Sequence, residues 1–514
     1  MKKLQILFLI LLFIGCNQKK NSITVPINKA KKIEKKVFFD STKISEFFNK
    51  FPKLNIVEGD VTTYYKNKNY SYVWFNGSKI NEQSQFLKTQ IDNISSEGLP
   101  DKNIYLQEFS NLLNVNKVSF PNIETELMLT AQYFKYAKRV WYGLSEKETK
   151  SINWNIHRKK LNFEILLDAI INGKLNFQNP PIYRQYSLLK KELVNYQNIK
   201  QNGGFPKISP KISTLKIGDS SVAILNLKKW LLLSKDLPNV ALNNLFDSEL
   251  ETAIKKTQSR FGLKINGAIT QSLINQMNVT VDERIQQIAL NMERCRWLPT
   301  GNKTDYLVIN IPEYKLHAYE NDKLIWSMNV VVGESNHETV IFSDMIEYVV
   351  FSPYWNVPNG ILKREILPGI ARNRNYLSKH NMEWFNGNVR QKPGPENSLG
   401  LVKFLFPNNY DIYLHDTPTK SLFDNSNRAN SHGCIRLENA EKMANYLLKN
   451  DTDWNADKIK LAMNDSIEKK VKLKKQEAVI IVYLTSWVNS YGYLNFRKDI
   501  YKRDKKLAKL ILNN

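Results

Sequence analysis

Cysteine is almost missing from this chain, with three in 514 residues. Three thiols cannot build a disulfide framework, so buried cores must hold the fold and each cysteine needs its own explanation. Acidic residues are also in short supply: 49 Asp+Glu stand against 74 Lys+Arg, a formal charge of +25. Such an excess favours polyanions, among them nucleic acid, anionic lipid and acidic wall polymer. No RNA- or DNA-binding motif accompanies it, and the lysines are scattered among Asn and Ile. The apolar run Ile6 to Ile14 falls far short of the ~20 residues a membrane span requires. What the chain does have is 42% hydrophobic and 24% charged residues, enough to bury real cores. At ~150 residues per domain, its length suggests roughly three domains.

The start of the chain indicates a compartment. Met1-Lys2-Lys3 is a short basic opening, and Ile6 to Ile14 fits the apolar region of a secretory signal. It ends in Phe13-Ile14-Gly15-Cys16, which resembles a bacterial lipobox. That resemblance implies a lipid anchor on Cys16, with 1–16 as signal peptide and 17–36 as tether. Asn17 directly after the Cys implies the outer membrane. A periplasmic, lipid-anchored chain disfavours nucleic acid as a partner.

Residues 37–205 read as mostly helical. Ile123, Leu127, Ala131, Phe134, Ala137, Trp141 and Leu144 recur at spacings of three and four, predicting one buried stripe. Glu124 and Glu126 in the first turn and Lys135, Lys138 and Arg139 near the end suit the helix dipole. Gly203, Gly204, Pro206 and Pro210 mark a boundary. Residues 213–280 then predict three short helices, with Asp247 capping the one that carries Leu250, Ala253 and Ile254. This block resembles the three-helix peptidoglycan-binding module. A connecting helix within 281–304 has Asp282 as its expected N-cap and Cys295 on its apolar face, as a buried small hydrophobe. From Asp305 the period becomes two, predicting strands at Tyr306–Ile311, Lys315–Tyr319 and Ile325–Val332. A loop-and-helix stretch at 358–399 interrupts them. Strands resume at Leu401–Phe406 and Ile412–Leu414, and Ala478–Leu484, Trp487 and Tyr493–Phe496 predict a last hairpin closing the sheet. His157, His317 and His337 read as structural.

The chemistry concentrates in two segments. One is Tyr413-Leu414-His415-Asp416 and the other is Ser431-His432-Gly433-Cys434-Ile435-Arg436. A cysteine between a glycine and an apolar strand, with two histidines close by, offers a nucleophile and a base. Gly433 lets backbone N–H groups approach an oxyanion. A zinc site is disfavoured: His415, His432 and Cys434 lack a fourth donor, and no Cys-x-x-Cys or second His pair occurs. A papain-like order would place Cys before His, and here the order is reversed.

This spacing of His415 and Ser431-His432-Gly433-Cys434 resembles the signature of the YkuD-type L,D-transpeptidases. The resemblance extends through Phe351 to Pro358 and Lys392 to Pro395, and its domain order is that of the large periplasmic members. It implies a multidomain α+β fold: a helical scaffold domain, the peptidoglycan-binding module, and a mixed-β catalytic domain over 305–514 with a lid at 358–399. It also implies a Cys434 thioester with peptidoglycan stem peptides, resolved by a second stem to give a 3→3 crosslink. His415 would be the base, and the N–H groups of Gly433 and Cys434 the oxyanion hole. Backbone carbonyl near the residue after His415 would orient the imidazole, with Asp416 contributing as other than a carboxylate orienter. Tyr413 and Trp355 would line the cleft, with His432 and Arg436 in support. No cofactor is implied, and carbapenem-type inhibitors are expected to acylate Cys434. The alternatives are an L,D-carboxypeptidase, in which water takes the thioester, and a catalytically idle wall-binding lipoprotein.

Overall fold

The helical front half is organised around Ile123–Ala137. Asn122 caps this helix by accepting the Thr125 N–H at 3.0 Å. The computed structural model describes residues 37–100, 104–113, 121–177, 179–238, 242–300 and 305–513, so the expected anchor at Cys16 and tether at 17–36 lie outside the described residues. The helix is buried on nearly every side rather than along one stripe, because Thr42–Lys50, Glu58–Asn67, Leu106–Leu113 and Phe163–Ile171 all pack on it. Glu126, read from the sequence as a helix-dipole partner, is instead a buried acceptor. It takes the Tyr65 hydroxyl at 2.7 Å and the N–H groups of Val73 and Trp74. Burial raises its carboxyl to about 7. The helix ends in a π-helical turn, Lys138–Tyr142.

Residues 213–280 contain the helices Val222–Leu233, Ser248–Arg260 and Gln271–Met277. Asp247 accepts the Leu250 N–H at 2.8 Å and so starts the second. The long helix Val281–Trp297 then joins the two halves. Thr280, not Asp282, is its cap: its hydroxyl accepts the Glu283 N–H while Glu283 accepts the Thr280 N–H, a reciprocal pair that Asp282 cannot make. On one side Arg296 donates to the Val140 carbonyl and pairs with Glu293, both side chains being fully buried. On the other, Asn291 donates to Thr485 and Gln287 to the carbonyls of Thr485 and Arg497. Cys295 lies within this helix, 0% exposed.

The C-terminal half is a mixed nine-stranded sheet. In chain order its strands are β1 (Asp305–Asn310), β2 (Lys315–Glu320), β3 (Lys323–Gly333), β4 (Ser343–Phe351), β5 (Val402–Leu405), β6 (Leu414–His415), β7 (Ala429–Ser431), β8 (Ile435–Leu437) and β9 (Lys469–Val482). Their spatial order is β7-β3-β8-β6-β5-β4-β9-β1-β2, and a further pairing of β2 with β3 closes eight of them into a ring. Pairs β6–β8, β3–β7 and β1–β9 are parallel. With its helical front half, the chain is multidomain α+β.

Two expectations are corrected. Ser486–Val488 and Leu494–Phe496 do form a hairpin, but it stands apart from the large sheet. Its Val488, Leu494 and Phe496 enter the helical core, and Arg260 donates to the Leu494 carbonyl at 2.6 Å. Alternation marks a strand without saying which layer it covers. The 358–399 stretch is also more than loops and helices. Strands Met382–Phe385 and Asn388–Gln391 pair there, and the second pairs with Trp355–Asn356. Val357, Leu362, Ile366 and Val389 give this unit a small core of its own.

Candidate active site

The short parallel pair β6–β8 builds the site. Leu414 is opposite Ile435 and His415 opposite Arg436. One step earlier, the Tyr413 carbonyl accepts the Ile435 N–H at 3.2 Å, which sets Tyr413 beside Cys434. Side chains alternate along a strand, so Leu414, Ile435 and Leu437 fill the core at 0% exposure. Tyr413, His415, Cys434 and Arg436 then share the opposite face. Residues almost twenty apart in the chain meet because two strands of two and three residues lie in register.

His415 is buried and its tautomer is fixed. Its Nδ1 donates to the Asp416 backbone carbonyl at 2.6 Å, which leaves Nε2 with a lone pair. Burial, together with the nearby Arg436 guanidinium, lowers the imidazole to about 3. It is therefore neutral at physiological pH. Burial also pushes the Cys434 thiol up, while hydrogen bonds from Tyr413 pull it down. The resting site is thus thiol plus neutral imidazole, and not the preformed thiolate that a cysteine–histidine pattern suggests. Deprotonation must accompany attack.

The Asp416 carboxylate faces away from the imidazole. It accepts the Leu401 N–H at 3.0 Å and the Lys420 ammonium at 2.6 Å. Gly400 adopts φ +64°, and a Cβ there would sit 2.4 Å from Asp416 Oδ2. The carboxylate therefore pins the end of the 358–399 unit to β6.

The loop before β8 is shaped by Ser431 and Gly433. Gly433 takes φ +113°, which disfavours any side chain. Its N–H donates to Ser431 Oγ at 3.2 Å, and that hydroxyl donates to the Cys434 carbonyl at 2.6 Å. Among the described residues the Cys434 N–H has no such acceptor, so it alone of the two expected oxyanion donors is uncommitted in this state. Cys434 Sγ rests 3.5 Å from the Asp411 carbonyl. Ser431 belongs to the Ser431–Cys434 motif, whereas nothing local in the sequence marks Asp411, whose φ of +53° is a property of the folded loop.

The other expected residues sit further out. His432 is half-exposed, 3.7 Å from Glu365 and with its ring 5.1 Å from that of His337. Glu365 belongs to the π-helical turn Leu362–Ile366, so His432 meets the 358–399 unit and not Cys434. Trp355 pairs with Gln391 and packs on the core of that unit. Arg436 is half-buried, and its Nε has no hydrogen-bond partner. Among the described residues no group of three or more His, Cys, Asp or Glu could hold a metal.

Residues 304–461 match the sequence model of YkuD, the L,D-transpeptidase catalytic domain, and residues 59–193 match that of the scaffold domain. A Haemophilus influenzae protein, whose name carries L,D-transpeptidase as a provisional designation, is 30% identical over 243 residues. That covers 43% of this chain and 49% of the relative, so the chain spans about half the length of the protein it matches. Among solved structures, an L,D-transpeptidase (Yku) from Stackebrandtia nassauensis shares 14% identity over 52% of this chain and 95% of its own, with a TM-score of 0.23. An L,D-transpeptidase from Mycobacterium smegmatis shares 11% over 35% of this chain and 58% of its own, with a TM-score of 0.21.

Proposed function

We propose that the YkuD-type L,D-transpeptidase catalytic domain in residues 304–461 makes this protein a cysteine acyltransferase that joins peptidoglycan stem peptides through 3→3 crosslinks. The observation that carries this reading is Cys434 on the same sheet face as a neutral imidazole whose Nδ1 is tied to the Asp416 carbonyl. Cys434 Sγ attacks the carbonyl carbon of the third residue of a donor stem as its proton passes to His415 Nε2. The Cys434 N–H donates to the oxyanion. The tetrahedral adduct collapses, the imidazolium returns its proton to the departing D-Ala amine, and a thioester remains. The side-chain amine of a second stem's diamino acid then attacks, giving its proton to His415. The new amide leaves and the thiol is restored. The unit at 358–399 acts as the lid, excluding water so that the amine wins.

The Arg436 guanidinium offers a cation to the carboxylates of the stem, and its unpartnered Nε supports that role. Cys16 is assigned as the lipid anchor, holding the enzyme in the periplasm at the outer membrane, and residues 213–280 as the module that binds the wall. A Cys16→Ser chain should leave the membrane fraction after a high-salt wash, salt being needed because a +25 chain clings to anionic surfaces.

The deciding experiment incubates purified protein with a disaccharide-tetrapeptide. Dimer should form, its fraction rising with acceptor concentration, and carbapenem should leave a mass adduct on Cys434. Tripeptide alone, at a rate indifferent to acceptor, would make the enzyme an L,D-carboxypeptidase. No adduct and no product would leave an idle wall-binding protein.

A further inference from the structure

The helical domain holds a half-open cavity of about 650 Å³, remote in sequence from the β6–β8 site. Its size is that of a small-molecule site. One wall is aliphatic: Val57, Ile94 and Leu99 are buried there, and Ile56 stands at the rim, 81% exposed. Cations outnumber acids in the rest of the lining. Lys53, Lys135, Lys138 and Arg139 stand there with Glu148 as the one carboxylate named among the lining residues, and Lys53, Lys135 and Arg139 make no carboxylate ion pair among the described residues. Neighbouring Lys138 differs, being paired with Asp60 at 2.5 Å.

Arg139 belongs to the π-helical turn Lys138–Tyr142, a distortion that recurs at functional sites. Its Nη2 is buried with no hydrogen-bond partner. Leaving a buried guanidinium N–H unmade is costly unless something arrives to accept it. Lys135 is lowered to about 8 by burial, the mark of a cation desolvated without a counter-charge. The chain's own leading segment is a poor occupant: between residues 17 and 36 it carries Lys19, Lys20, Lys29, Lys31, Lys32, Lys35 and Lys36 against Glu34 alone. The complementary occupant is an external anion with an apolar body.

We propose that this cavity binds an anionic amphiphile, its aliphatic chain on the Val57–Ile94–Leu99 wall and its carboxylate or phosphate held by Arg139 and Lys135. The free-acid and phosphate-headed sources share this chemistry and differ only in the head group. The guanidinium donates to either head group, its unpartnered Nη2 first.

Calorimetric titration of the purified protein tests the assignment, with laurate, dodecyl phosphate, dodecanol and inorganic phosphate as probes, each amphiphile below its micelle concentration. Laurate or dodecyl phosphate should saturate at one per chain, and the tighter of the two names the head group. Dodecanol and inorganic phosphate should bind at least about tenfold more weakly, since each lacks one half of the match. Arg139→Gln and Lys135→Gln should each weaken the tighter probe about tenfold. Ile56→Asp places a carboxylate at an exposed rim position that cannot disturb the core, and should weaken it similarly. Transpeptidation should be unchanged in all three variants. Equal binding of dodecanol, or wild-type affinity in the Ile56→Asp chain together with either cation variant, overturns the proposal. So does an acidic peptide that saturates the cavity while both amphiphiles fail.

Discussion

Cys295 and Cys434 are one kind of atom in two regions, and burial raises both thiols. Cys295 lies at 0% exposure in the Val281–Trp297 helix, pushed up to about 12 despite Arg294 and Arg296 beside it in the chain. Cys434 lies just before β8, partly buried, with Tyr413 hydrogen-bonded to it and His415 on the same sheet face. The difference is not that one thiol is acidic and the other is not. One has a base and a way in for a substrate; the other has packing alone. Reactivity here comes from what stands beside the sulfur.

The largest expected effect is the pair of deletions. Cys434→Ala should abolish dimer formation with the circular dichroism spectrum intact, while Cys295→Ala should keep activity and cost about 1 kcal/mol of stability. Dimer from the Cys434→Ala chain would break the comparison outright. Next is the base. His415→Ala should slow carbapenem acylation by roughly a hundredfold or more, followed by intact-protein mass spectrometry. Unchanged acylation would mean that Cys434 ionises unaided.

The third expectation concerns pH. A base works only while deprotonated, so a His415 lowered to about 3 should keep kcat/KM flat as pH falls from 7 to 5. Replacing Arg436 by Met removes a repelling charge, raises the imidazole, and should move the acid limb up toward the ordinary histidine range near 6.5. An acid limb already near 6.5 in the unaltered protein would show that His415 is less desolvated than its burial indicates.

The smallest effect tests the Asp416 carboxylate. Asp416→Asn keeps the carbonyl that orients His415 and loses the carboxylate that pairs with Lys420, so kcat should fall only a few-fold, with any acid limb moving further down because the Asp416 charge helps to raise the imidazole. Gly400→Ala in the same contact should lower the melting temperature by several degrees, because its φ and the neighbouring carboxylate both oppose a Cβ.

The sequence by itself determined the parts whose cause is local. Asp247 starts a helix because a short carboxylate reaches the Leu250 N–H. Gly433 sits where φ must be positive, and the β-branched and aromatic run within Asp305–Asn310 makes a strand that is buried almost throughout, without the alternation expected of it. The motif around His415 and Cys434 was legible for the same reason, since residue type and spacing carry it. Tertiary structure decided what depends on distant neighbours. Glu126 became a buried acceptor only because Tyr65, Val73 and Trp74 surround it. The last hairpin went to the helical core because Arg260 and Gln185 receive its backbone there. The protonation of the site was likewise beyond the sequence. Residue type alone does not show how strongly the neutral pair is favoured, and it is burial that lowers the imidazole and raises the thiol.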